Sequence, residues 1–482
     1  MNIKVILYFI GFVLIFLSFF MILPLLVSFI QHQQDTIILL VSFAITFFSG
    51  IILYLPTRQH RRDDVRHREA FIIVALTWTA ISLFGCLPFI LSGTLSSFTD
   101  AYFESMAGFT TTGASVITDI EAVPRGILFW RCMTQWIGGM GIIVFALAVL
   151  PLLGTGGMQL FKAEVPEINV DKLRPRIIDT AKALWIIYIV LTVTDASLLF
   201  TAGMDLYDSI CHAFTTMATG GFSTKNASIA YFRNPSIEYI TSIFMLFAGV
   251  NYSLYFYVFK GDFLRLWRSN EFRFYISVTI ISVLLIAAFL WKNSYNSITD
   301  SLRYSLFQVA SIMTTTGYAT ADYEQWAPFA QVLLILLMFF GGMIGSTGGG
   351  IKQIRILLMI KQGFREMYQL IHPRAITAVK IDEKFLDKEI LGSIWGFVFL
   401  FLGICTIATI AMAATGLDII TSSTTVISAM SNVGPAFGIA GPSENFASIP
   451  IIGKWILIFC MFTGRLEIYT VLILFIPQFW KK

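Results

Sequence analysis

Charge is what this sequence has least of. Only 13% of its 482 residues are Asp, Glu, Lys or Arg, against about a quarter in a soluble domain of ordinary composition. Histidine and cysteine are scarce as well, with five of each. Cys86, Cys132, Cys211, Cys405 and Cys460 stand singly within apolar runs and show no CxxC spacing. That excludes a disulfide framework or a cysteine-ligated metal centre and leaves them as small packing residues. The apolar runs hold no Asp–Asp, Ser–His or HExxH arrangement, so an enzyme is not expected, nor a cofactor. Gly348-Gly349-Gly350 lacks the strand–turn–helix setting of a nucleotide loop and lies in an apolar run. A nucleic-acid partner is not expected either.

What the chain has instead is apolar length. Hydrophobic residues make up 56% of it. They fall in blocks at 5–30, 37–55, 71–91, 183–200, 274–290 and 394–413, most of which approach or exceed the roughly 20 residues a helix needs to cross a bilayer. The first block follows a single Lys4, is long, and has no small-x-small cleavage site after it. It is therefore expected to be a retained span rather than a secretory signal. The basic residues gather in 58–68, 162–182, 260–273, 352–388 and the Lys481-Lys482 tail, while the turn 31–34 has none. Lys and Arg concentrate in cytoplasmic loops, so every second connection, and both termini, are expected on the inner side. The run 58–68 is expected to meet anionic lipid headgroups.

After two spans, the chain repeats a pattern four times: a long helix, a short amphipathic segment, a Thr/Gly turn and a second long helix. The turns read Phe109-Thr110-Thr111-Thr112-Gly113-Ala114-Ser115, Met217-Ala218-Thr219-Gly220-Gly221-Phe222-Ser223, Met313-Thr314-Thr315-Thr316-Gly317-Tyr318 and, most diverged, Ser431-Asn432-Val433-Gly434-Pro435. A second landmark, expected to break the following helix, comes at Gly138-Gly139, Gly249, Gly341-Gly342 and Gly464, 25 to 30 residues after each turn glycine. Two landmarks holding register through four units mark an internal repeat of the kind common in transport folds. Small residues also pack membrane helices together. That does not account for a Thr/Gly turn after segments such as 101–108, 209–217, 305–313 and 423–430, which are about half a spanning length. The predicted architecture is all-α and polytopic: 1–68 as two N-terminal helices, then units at 69–160, 161–262, 263–365 and 366–482. That makes about ten spans with four re-entrant loops around a pseudo-fourfold pore.

Backbone that leaves helix geometry at membrane depth is tolerated only where protein or a water-filled cavity satisfies it. A short helix that enters from outside and stops points its C-terminal end, partly negative, into the membrane, and so favours a cation. Glycine lets successive carbonyls face one way, and a ring of carbonyls can replace the water around K⁺. No carboxylate, Lys or Arg lies in the four turns, which disfavours both a calcium-type filter and an anion pore.

Four segments are unlike generic membrane sequence: Gln135-Trp-Ile-Gly-Gly-Met-Gly-Ile142, Gly345-Ser-Thr-Gly-Gly-Gly-Ile-Lys352, Arg355-Ile-Leu-Leu358 and Gly464-Arg-Leu-Glu467. With the four turns, they make the whole chain resemble the potassium-translocating subunits of the bacterial Trk system, in the Trk/Ktr/HKT superfamily. The resemblance implies four helix–pore helix–helix units with K⁺ bound at Thr111, Thr112, Gly113 and Ala114; Thr219, Gly220, Gly221 and Phe222; Thr315, Thr316, Gly317 and Tyr318; and Asn432, Val433, Gly434 and Pro435. One glycine per loop implies a filter simpler, and often less strict between K⁺ and Na⁺, than that of tetrameric potassium channels. The Asn-Val-Gly-Pro turn departs most, which leaves its geometry the least defined.

Gly345, Ser346, Thr347, Gly348, Gly349 and Gly350 interrupt the second helix of the third unit, predicted at about 331–359, because glycine runs break helices. The break can be a hinge, a plug or a kink that fits a neighbour; in the family it is the gate beneath the filter. Arg465 is a charge inside a span, which is costly and usually faces a partner or pathway; its matching residue in the family projects into the pore. Glu104, His212, Gln308 and Thr425, each nine residues before a turn glycine, are expected to hydrogen-bond behind the filter. The resemblance further implies a bacterial inner-membrane location, a homodimer, K⁺ as transported ion with Rb⁺ and Na⁺ as further candidates, and a cytosolic TrkA-type nucleotide-binding subunit docking on 162–182 and 352–388. A secondary transporter coupling K⁺ to H⁺ or Na⁺ is the alternative. It needs a mid-span carboxylate, for which Asp195 is the clearest candidate.

Overall fold

The computed structural model describes residues 1–62, 65–148, 173–375, 378–382, 384–386 and 388–481. Residues 162–172 of the basic segment 162–182, and the predicted unit boundary at 160/161, lie outside the described residues. The chain opens with an antiparallel pair, α1 (Ile3–Ile30) and α2 (Thr36–Thr57). Four units follow. The first holds α3 (His67–Gly85), a short α4 (Leu87–Leu91), α5 (Phe98–Phe109) and α6 (Arg125–Ala148). The second holds α7 (Leu173–Thr201), α8 (Leu206–Met217), α9 (Pro235–Ala248), α10 (Tyr252–Phe259) and a short α11 (Leu264–Arg268). The third holds α12 (Asn270–Asn293), α13 (Ile298–Met313), α14 (Pro328–Phe340) and α15 (Gln353–Ile371). The fourth holds α16 (Lys388–Ala413), α17 (Ile419–Ser431), α18 (Ile451–Arg465), α19 (Ile468–Leu472) and a terminal α20 (Pro477–Trp480).

Six stretches, in α1, α2, α3–α4, α7, α12 and α16, are long and apolar enough to cross a membrane by themselves. Two further helix pairs, α9–α10 and 451–465 with 468–475, bent by 100° and 117°, reach that length and apolarity only when each pair is taken together. The short helices α5, α8, α13 and α17 are too brief to span. They run a few residues longer than the amphipathic stretches suggest, and three of them, α8, α13 and α17, start at a polar side-chain cap. Asp205, Ser297 and Asp418 accept the backbone N–H of Asp208, Thr299's neighbour Asp300 and Thr421 respectively, satisfying donors that a helix start leaves open.

The second helices interrupt differently from expectation. Breaks occur at Gly249, at Gly341 and just after Gly464. However, α6 runs straight through Gly138-Gly139. There the missing side chains serve approach rather than breakage: a Cβ on Gly138 would fall on the carbonyl oxygen of Phe109, and one on Gly139 would lie 2.8 Å from the α-carbon of Ala218. The third interruption is the longest. Where a break at 345–350 was expected in a helix over about 331–359, the interruption is wider: α14 stops at Phe340 and α15 starts only at Gln353. A two-residue-per-strand antiparallel hairpin, β1 (Lys380–Ile381) with β2 (Lys384–Phe385), was not foreseen in an all-α chain. Its strands are too short to leave a period-two pattern.

The units close into a ring. Each short helix lies between the second helix of its own unit and that of the preceding one: α5 between α6 and α18, α8 between α9 and α6, α13 between α14 and α9, α17 between α18 and α14. The α1–α2 pair packs outside this ring against α3 and α6. Gly11 and Gly50 face each other across it, the close backbone approach that small residues allow between membrane helices.

Gly50→Leu tests that contact. Its Cβ would lie 2.8 Å from Cγ1 and 2.9 Å from the backbone N of Ile15, and overpacking of this kind costs about 1–3 kcal/mol. Thermal unfolding in detergent is expected to shift down for Gly50→Leu and stay unchanged for Gly403→Leu, whose added Cβ meets nothing within 4 Å.

Candidate functional site

All four short helices end in one backbone device. In the first, the N–H of Thr112 reaches back to the carbonyl of Ala107 (2.8 Å) and that of Thr111 to Gly108 (2.9 Å). The same two bonds recur from Gly220 to Thr215 and Thr219 to Thr216, from Thr316 to Ser311 and Thr315 to Ile312, and from Val433 to Ser428 and Asn432 to Ala429. This is the Schellman arrangement, which needs a left-handed residue just past the helix and usually takes glycine. Here Thr111, Thr219, Thr315 and Asn432 occupy it at φ of 51°, 53°, 63° and 56°. Three β-branched residues in that region are outliers that only an over-determined surrounding holds.

Two residues on, Gly113, Gly221, Gly317 and Gly434 also have positive φ, at 81°, 75°, 85° and 104°. The fourth turn, despite its Asn-Val-Gly-Pro sequence, thus repeats the backbone pattern of the other three. Asn tolerates the left-handed region, so the departure lies in side chains rather than geometry.

The glycines interlock. A Cβ built on Gly113 would fall on the carbonyl oxygen of Gly220, one on Gly221 on that of Thr316, and one on Gly317 on that of Val433. One on Gly434 would lie 2.5 Å from that of Thr112. Each turn glycine therefore seats against the residue just before the next turn's glycine, and the fourth contact returns to the first turn. All sixteen turn positions named from the sequence are brought to this ring or directly behind it. Ala114, Phe222 and Tyr318 are buried, and Pro435 presents its ring to Gly317.

Side chains tie neighbouring turns together behind the ring. Between turns one and two, Gln135 on α6 donates to the carbonyl of Gly220 (2.6 Å) and accepts from the N–H of Phe222 (3.0 Å). Arg131, one helical turn earlier, pairs with Glu104 (2.7 Å), donates to the carbonyl of Ser223 (2.9 Å), and lies 3.6 Å from the ring centre of Phe222. Glu104 also accepts from the backbone N–H of Val116 and the hydroxyl of Ser115, both at 2.9 Å. Between turns two and three, the Tyr318 hydroxyl bonds that of Thr215 and donates to the carbonyl of His212 (3.1 Å). Between three and four, Tyr323 donates to the carbonyl of Ala436 (3.0 Å). Between four and one, Asn432 donates to the hydroxyl of Thr112 (2.9 Å).

Of the four residues expected behind the turns, Glu104 and His212 hold the following loop, His212 through Ser223 at 2.9 Å. Gln308 reaches Thr320 only at 3.5 Å, and Thr425 bonds back to its own helix at Thr421. Arg131 was missed. The rule that singles out Arg465, a charge within an apolar run, applies equally to Phe129-Trp130-Arg131-Cys132-Met133.

A second layer lies against the inner ends of the short helices. Between α14 and α15 the backbone leaves helix geometry, with positive φ at Gly341, Gly345, Gly350 and Lys352. Thr347 donates to the carbonyls of Met217 (3.0 Å) and Ala248 (3.2 Å), at the ends of α8 and α9. The N–H of Gly349 donates to the hydroxyl of Thr315 (2.8 Å), and a Cβ on Gly349 would strike the carbonyl of Ser431. Arg465 is buried, donates to the carbonyl of Thr347 (2.6 Å) and reaches that of Gly138 (3.4 Å). It does not snorkel to an interface. Glu467, beyond the bend, pairs instead with Arg355 at 2.8 Å. The segment 341–352 thus lies against the ends of the short helices, held in part by carbonyls at their negative ends.

The Arg131–Glu104 pair is exposed by only 1% and 0%. Removing one partner of such a pair strands the other charge, at about 3–5 kcal/mol. Arg131→Met is expected to lower unfolding stability in detergent by that order, and adding Glu104→Gln to recover part of it in a double-mutant cycle.

Comparison with known proteins places this architecture. A family model described as "TrkH: Cation transport protein" matches residues 37–482. The Trk system potassium uptake protein TrkH of Salmonella typhimurium is 44% identical over 477 residues, 98% of either chain. The Trk system potassium uptake protein TrkG of Escherichia coli is 36% identical over 100% of this chain and 99% of its own length. The crystal structure of the potassium transporter TrkH from Vibrio parahaemolyticus superposes with a TM-score of 0.92 at 38% identity, covering all of both chains. On fold, repeat and sequence together, the chain belongs to the TrkH family of cation transport proteins.

Proposed function

We propose that this chain carries K⁺ across a bacterial inner membrane through a gated, channel-like pore whose filter is the ring of four turns. The observation that carries this is the closed cycle of glycine–carbonyl contacts, which makes one oxygen-rich opening from four segments of one chain. Its donors suit a monovalent cation: backbone carbonyls, threonine hydroxyls and the Asn432 amide, with no carboxylate. K⁺ is bound in this reading by Thr111 to Ala114, Thr219 to Phe222, Thr315 to Tyr318 and Asn432 to Pro435. Rb⁺ and, less favourably, Na⁺ follow the same path.

The gate is the segment from Gly345 to Gly350 with Arg465. Its seating on the ends of α8, α13 and α17 supports a plug rather than a kink, since a kink needs no contact with three separate units. A cytosolic TrkA-type nucleotide-binding subunit docks on 162–182 and 352–388, the chain is a homodimer, and both termini are cytoplasmic. These three statements rest on the family resemblance and on the placement of basic residues.

Flux into liposomes containing the full chain tests the proposal. Gly113→Ser forces a side chain onto the Gly220 carbonyl at a φ of 81°, so the K⁺/Na⁺ flux ratio is expected to fall several-fold; an unchanged ratio would refute the filter assignment. Deleting 345–350 is expected to raise K⁺ flux several-fold, and no rise would refute the gate.

One observation favours the alternative of coupled transport. Asp195, within α7, is fully buried and neither carboxylate oxygen has a hydrogen-bond partner among the described residues. Uptake is expected to persist without a proton or sodium gradient and to survive Asp195→Asn. Wild-type uptake that vanishes without the gradient would establish coupling instead.

A further inference from the structure

The segment 341–352 is closed at its neck by its own backbone: the N–H of Ile351 bonds the carbonyl of Phe339 (3.0 Å), and that of Gln353 bonds Gly342 (3.1 Å). One side chain from another helix adds to this. Glu271, the second residue of α12, is 1% exposed. Its Oε1 accepts the N–H of Ile344 at 2.9 Å and that of Ile354 at 3.2 Å. Ile344 precedes the Gly345-to-Gly350 stretch and Ile354 follows it, so a single carboxylate oxygen holds both ends of the loop. Lys352, whose side chain donates to the carbonyl of Gly348 inside the loop, lies in electrostatic reach of Glu271.

Glu271 is also one residue from a connection to the surface. The N–H of Asn270 donates to Asp382 at 2.6 Å, and Asp382 sits at the tip of the β1–β2 hairpin. Lys361 of α15 donates to the carbonyl of Lys380 on the same hairpin (2.8 Å). The hairpin therefore grips the start of α12 and the middle of α15, the two helices that Glu271 joins through the loop ends. Phe385 beside it is two-thirds exposed, at 66%.

We infer that Glu271 is the positioning residue that latches the loop in its seat, and that the hairpin around Asp382 is the element through which force from the inner face reaches it. This rests on the gate reading above. While both N–H groups are bonded to one oxygen, the ends of the loop cannot separate and Thr347 stays beneath the turns. Displacing α12 by pulling on the hairpin moves the shared acceptor away from both donors at once.

The test is Rb⁺ uptake into liposomes by the full chain without any regulatory subunit, for wild type, Glu271→Ala, Glu271→Gln, Asp382→Ala and the 345–350 deletion. Losing two hydrogen bonds shifts a two-state equilibrium by about tenfold or more. Glu271→Ala is thus expected to raise uptake by about tenfold at an unchanged K⁺/Na⁺ ratio. Glu271→Gln, which keeps an acceptor oxygen, should raise it clearly less, and Asp382→Ala should give an intermediate rise. If the deletion raises uptake and Glu271→Ala, monodisperse in detergent, does not, the latch is overturned while the gate stands. If the deletion also fails to raise uptake, the gate reading itself falls. Should Glu271→Ala not assemble, Asp382→Ala decides: wild-type uptake there overturns the inference.

Discussion

A glycine α-carbon seats against a carbonyl oxygen of the neighbouring turn four times over, and the fourth contact closes on the first turn. Much of the fold can be read as what that cycle requires. A side chain at any of the four positions would meet a backbone oxygen, and each also has positive φ, so two independent constraints demand glycine there. To bring four such glycines to one place, four helices must end at the same depth. They do so by stopping in Schellman turns with a left-handed Thr or Asn where glycine would be easier. The strain of those threonines is the kind that only dense surroundings maintain, and the surroundings here are cross-turn ties: Gln135, Arg131, Tyr318, Tyr323 and Asn432.

How far this was legible in the sequence follows from the range of each interaction. The turns are local, and their Thr/Gly composition after a half-length amphipathic segment names them directly. The fourth turn was also found, but its side chains suggested a departure that the backbone does not make, since Asn substitutes for Thr in a left-handed position with less strain. The landmark in the second helices was legible as small residues but not as geometry. Glycine pairs mark close approach and chain breaks alike, and only the neighbours of Gly138 and Gly139 decide for approach. Interactions between units were the hardest to see. Arg131 lies on α6, whereas the turn it supports by way of Phe222 and Ser223 follows α8, and no spacing rule links position 131 to 222. Glu271 and the hairpin at 380–385 are similarly silent, because a carboxylate at a helix start reads first as a cap or a dipole partner.

The two layers of the site are not separable parts. The hydroxyl that receives Gly349 belongs to Thr315, one of the left-handed residues of the ring, and the carbonyl facing Gly349 belongs to Ser431, next to Asn432. A loop that moves must release a bond to the ring. In the proposed gate a change of ion occupancy in the ring would be felt by the loop, by as much as the ion's affinity differs between the two positions of the loop. Selectivity and gating in such a site would be coupled by shared atoms rather than by a long pathway.

In the proposed gate, Arg465 offsets the field of the short helices. Four helix ends point partial negative charge at the space under the ring, and an empty low-dielectric cavity there would be unfavourable for those dipoles. The guanidinium, delocalised and always charged, suits a site made of carbonyls better than a compact ammonium would. It donates to Thr347 within the loop and reaches Gly138 on α6, so the seated loop supplies the nearer of these two acceptors. Were the loop to leave, Arg465 would lose its 2.6 Å partner. The arginine then needs either a new acceptor or hydration, and its charge repels an entering ion of like sign. In the proposed gate this exchange favours the seated loop, and the hydrogen bonds gathered on Glu271 add to it.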